Sequence, residues 1–168
     1  MIGFIALNSP VQSSIMDRRI TPDEIRKFTS ESGKFVLTIA SLDHWKTRQA
    51  VASLFEGKRR IWTLKLPHSH GPRTASVTNA GVVVLFDEWV NIASDFAITS
   101  IPISGENHHV WSYADVQLAL GVSNATLNSM AKLGPWLTSL PTVNGDFVQV
   151  KAAGMTLTVD TKANRIFK

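Results

Sequence analysis

The segment Pro67-His-Ser-His-Gly-Pro72 sets two histidines two residues apart between prolines. On an extended chain alternate side chains share a side, so His68 and His70 would face one way. A divalent ion could then bind once a carboxylate such as Asp43, Asp87 or Glu88 completed the site. That reading makes a metal-dependent enzyme of the chain. The plainer reading is a polar loop stiffened by its prolines, and it is preferred because no second histidine pair answers the first. His108 and His109 are adjacent, so a strand would turn them to opposite faces.

Other catalytic chemistry has less to stand on. Asp87-Glu88-Trp89 closes the most apolar run of the chain, and paired-acid hydrolysis would need a second carboxylate, Asp43 or Asp95, at a defined separation. There is no Gly-x-Ser-x-Gly elbow and no phosphate-cradling glycine loop. With no cysteine, disulfides, thiolate catalysis and cysteine-ligated metals are excluded. No catalytic residue and no cofactor is therefore expected, and the preferred function is non-enzymatic.

Two patterns suit binding. Residues 115–132 contain LGVSNATLNSM, which is similar to the turn and second helix of a helix-turn-helix; Asn124, Thr126 and Asn128 would face a DNA groove. Lys132 is the only basic residue of that second helix, and phosphate contacts dominate DNA affinity, so a helical connector packed on a sheet is preferred. Trp45, Trp89 and Trp136 fall at loops or element ends, where aromatic rings can line a binding surface.

These residues need elements to hold them. The 168 residues carry 44% hydrophobic and 18% charged side chains, proportions of a globular chain. The net charge is +4, but only Lys58-Arg59-Arg60 clusters. Strands are predicted over 34–41, 48–55, 60–66, 73–77, 82–87, 96–103 and 109–113, the first as a strand buried on both faces. Residues 2–7 read as a further strand or a tucked-in end. Short helices are predicted over 115–120 and 124–132, then a hairpin of 146–152 with 155–160 and a last strand at 165–168.

The β region repeats. Gly33 and Gly81 lie 48 residues apart, as do Gly57 and Gly105, and Trp62 precedes Trp111 by 49. FTSESGKFVLTIA, residues 28–40, resembles the turn and strand that open a blade of WD40-like β-propellers, with SVTNAGVVVLFDE, residues 76–88, as its counterpart. The resemblance implies a mainly β chain of two blade-like antiparallel β-meanders, 28–67 and 73–113. A helical connector at 114–134 and a C-terminal β segment at 146–168 complete a single domain, 1–168. Propellers close with about 4–8 blades, so two units leave open sheet edges. The expected function is an interaction or structural domain that binds a protein partner or a second copy of itself through those edges. DNA binding and metal-dependent catalysis are the alternatives. No membrane segment is apparent, and the chain is read as cytoplasmic.

Overall fold

The structure, a computed structural model, describes residues 21–89, 93–123, 125–126 and 136–168. It is mainly β, with three antiparallel four-stranded meanders. The first sheet joins β1 (Ile25–Thr29), β2 (Phe35–Ser41), β3 (Ala50–Glu56) and β4 (Arg59–Leu66). The second joins β5 (Pro72–Val77), β6 (Val83–Glu88), β7 (Ile98–Ile101) and β8 (His109–Trp111). Helix α1 (Tyr113–Leu120) follows, and the third sheet joins β9 (Thr142–Asn144), β10 (Phe147–Ala152), β11 (Met155–Asp160) and β12 (Arg165–Phe167). The C-terminal hairpin is thus part of a third complete meander, and β1 and β9 are strands that the sequence reading lacked. Residues 2–7 and most of the expected helix 124–132 lie outside the described residues.

The sheets stack in chain order with the second in the middle. Phe35, Leu37 and Ile39 of β2 and Ala52 and Leu54 of β3 meet Ala75, Val77, Val83 and Leu85 in the first core. Val84 and Phe86, the alternate residues of β6, face a second core with Val148, Val150, Leu157, Val159 and Trp136. All six β6 residues are buried, because each face of the pleat meets a different sheet. Strand β2 was expected to be buried on both faces. Instead it alternates, with Val36, Thr38 and Ala40 half-buried, since the first sheet packs on one side only.

The turns carry the repeat. Ser30 and Thr78 occupy matching places: each accepts the amide of the glycine three residues on, Gly33 at 2.8 Å and Gly81 at 3.0 Å. Each hydroxyl also accepts a backbone amide of the following strand entry, Phe35 at 3.1 Å and Val82 at 3.1 Å. Trp62 and Trp111 are matched too, each on the last strand of its sheet and buried against the next. Gly105 permits this at Trp62: a Cβ there would fall 2.8 Å from the indole, and its φ of +74° is one that side chains resist.

Helix α1 is capped by Ser112, whose Oγ accepts the Asp115 amide while Asp115 accepts the Ser112 amide, a capping box. Asp115 is therefore the third helical residue, and the helix starts two residues before the expected 115. The outer edges are blunted: β8 and β12 are three residues long, and β4 presents Arg59, Arg60 and Lys65. Among the described residues no helix is long and apolar enough to cross a membrane.

Candidate functional site

The first strands of the three sheets converge, β1 against β5 and β5 against β9, and leave a groove between them. A cavity of about 670 Å³ is lined by Arg26 and Lys27 of β1, Arg73 of β5, Trp89, and the segment Leu137–Leu140. A neighbouring cavity of about 360 Å³ continues past Phe28, which lines both, to Val77 and Val143. On β1 the alternation of exposure sets Arg26 and Phe28 on one side, so strand periodicity alone aligns a cation with an apolar ring.

Arg26 ties the groove together. Its Nη1 donates to the carbonyls of Pro72 at 2.7 Å and Arg73 at 3.2 Å, and its guanidinium lies 5.1 Å from the Trp89 ring centre. Its Nε and Nη2 are buried and make no hydrogen bond to the described residues. Burial lowers the Arg26 pKa to about 10, with Asp23 opposing the shift, so the group stays cationic at neutral pH. Arg73 approaches the same ring at 5.9 Å, and its Nη2 donates to the Trp89 carbonyl at 3.0 Å. Trp89 thus braces two guanidinium groups, contacts worth about 0.5–2 kcal/mol each.

Behind Arg73 sits a buried carboxylate. Asp87, 1% exposed, holds Oδ2 at 3.9 Å from Arg73 Nε, and its backbone adopts φ +56° at the end of β6. Burial pushes its pKa up to about 7, and the Glu88 charge adds to the rise. The Glu88 amide at 2.8 Å, Arg73 and the Trp136 indole pull the other way. The Trp136 nitrogen faces Asp87 at a geometry short of a full hydrogen bond. The Tyr113 hydroxyl is also buried without a hydrogen bond to the described residues, and burial and the Asp87 charge raise its pKa. Glu88 is engaged differently, accepting from the Ser69 amide and from Ser94 Oγ, each at 2.7 Å.

The residues singled out from the sequence are dispersed. Ser69–His70 forms a turn, so the extended geometry that would align His68 and His70 is absent. His68 is buried, with Nε2 3.3 Å from Thr99 Oγ1 and its ring 5.4 Å from that of Phe96. Burial lowers its pKa to about 4 against the pull of Glu88, which leaves it neutral. His70 turns the other way, its ring 5.5 Å from Trp45. Among the described residues no group of three or more His, Asp or Glu is arranged to hold a metal.

Of the three loop tryptophans, Trp89 lines the groove and Trp45 is half-buried against His70. Trp136 is 1% exposed and belongs to the second core, so it is not a surface ring. Asn124 and Asn128 lie outside the described residues; Thr126 is exposed, its amide 3.2 Å from Ser123 Oγ. Arg26, Lys27 and Arg73 were missed. Arginine on a short strand carries no local signal, and the two arginines do not occupy matching repeat positions. No protein-family model, curated protein or solved structure matches the chain.

Proposed function

We propose that the chain is a non-enzymatic interaction domain whose groove, across the first strands of three blade-like sheets, takes an extended segment of a protein partner. The segment places an acidic side chain beside Arg26 and Arg73 and apolar side chains along Phe28, Val77 and Val143. The carrying observation is the convergence of two half-buried guanidinium groups, braced by Trp89, at one end of an otherwise apolar groove. Charge and shape both support this. Arginine presents donors suited to a carboxylate. Asp23 and Glu31 in the lining disfavour a polyanion such as DNA.

Self-association through outer sheet edges has less support, because those edges are short or basic. The test is a titration with two synthetic hexapeptides, one with two glutamates followed by alternating valine and threonine, the other with lysines in place of the glutamates. The acidic peptide is expected to bind, more weakly at high salt, and Arg73→Glu is expected to abolish binding. Equal binding of both peptides, or binding of neither, rules the reading out.

A further inference from the structure

Arg73 is shared between the groove and the interior. Its Nη2 is committed to the Trp89 carbonyl on the groove side, while its Nε faces Asp87 at 3.9 Å. We infer that the protonation state of Asp87 sets the affinity of the groove for an anionic side chain, by adding or removing an internal counter-charge behind Arg73. This rests on the groove being the binding surface.

The geometry carries the inference. Asp87 is buried, so neither ligand nor solvent ions can neutralise it directly. Its charge acts on the groove through a low-dielectric interior. Among the described residues, the titratable and charged groups that face it are Arg73 from β5, Glu88 beside it on β6 and Tyr113 from α1. Trp136 adds an indole N–H. Glu88 is held by Ser69 and Ser94. The Tyr113 hydroxyl and the Trp136 N–H make no hydrogen bond to the described residues.

The sign follows from electrostatics. When Asp87 is ionised it partly neutralises Arg73 and repels an incoming carboxylate. When protonated it does neither. Because burial brings the group to titrate near neutrality, with a pKa of about 7, anion binding weakens as pH rises from 6 to 8. Linkage requires the converse: a bound anion raises the Asp87 pKa further.

The acidic hexapeptide tests this at pH 6 and pH 8 and constant ionic strength, since its glutamates are ionised throughout. The intact protein is expected to bind it about three- to tenfold more weakly at pH 8. Asp87→Asn is expected to bind at both pH values as the parent does at pH 6. Peptide binding that does not change with pH, or a pH dependence that survives in Asp87→Asn, overturns the inference and leaves the groove reading intact. Failure to bind at either pH overturns both. A ligand-free measurement stands beside these: following the Asp87 carboxyl carbon by NMR, Arg73→Gln should raise its pKa. An unchanged value means that the pair is uncoupled, and the inference fails.

Discussion

Trp62 is buried in the first core and packs its indole against Gly105, in the loop between β7 and β8. Truncation, Trp62→Ala, should lower stability by about 3–5 kcal/mol, read as a fall in the denaturation midpoint at unchanged slope. Gly105→Ala should cost about 1–3 kcal/mol from backbone strain, before any displacement of the indole is counted. Asp87 gives the residue-scale pH dependence. Its pKa is raised above that of the unfolded chain, so its favourable contribution is complete below about pH 4 and is lost as pH rises towards 7. Asp87→Asn should therefore remove a destabilisation on the order of 4 kcal/mol at pH 8, measured by chemical denaturation at pH 5 and 8. His68 acts in the opposite sense: its pKa is lowered, and its contribution is lost as pH falls from about 6.5 to 4. The two slopes therefore oppose each other on the acid side, and the Asn variant separates them. At this scale the sequence revealed the matched tryptophans, because large apolar residues repeat visibly. It did not reveal Arg26 and Arg73, whose role depends on which strands become neighbours.

Elements were legible where a turn announced them. The turns at Gly33 and Gly81 and the strand over 60–66 have local chemical causes and were found. The first strand, Ile-Arg-Lys-Phe-Thr, is short with two of its five residues charged, and β9 has only three residues. Both exist because neighbouring strands offer them a ladder, and that information lies elsewhere in the chain. On β4 exposure alternates, with Trp62 and Leu66 buried and Thr63 and Lys65 exposed. The β4 strand also carries an irregularity opposite Leu54/Phe55 that spacing alone did not suggest. Helix α1 has eight residues, too few to be stable in isolation. Its capping box should matter accordingly: Ser112→Ala is expected to cost about 1 kcal/mol, seen as earlier amide exchange of Tyr113–Val116.

For the molecule as a whole, β6 is the common wall of two cores. Thermal or chemical unfolding should accordingly be a single transition, with the amides of β6 among the slowest to exchange. Two separated transitions would show that the sheets are energetically independent. Nothing in the run Val-Val-Leu-Phe showed that its alternate residues would serve different cores, and two-sided burial was expected of 34–41 instead. That burial has a consequence for sequence drift. On β10, where Phe147, Gln149 and Lys151 are exposed and Val148, Val150 and Ala152 are buried, lysine should be accepted at every other position. On β6 there is no such respite. A scan of single lysine substitutions would trace β10 as a sawtooth and β6 as an unbroken plateau of intolerance.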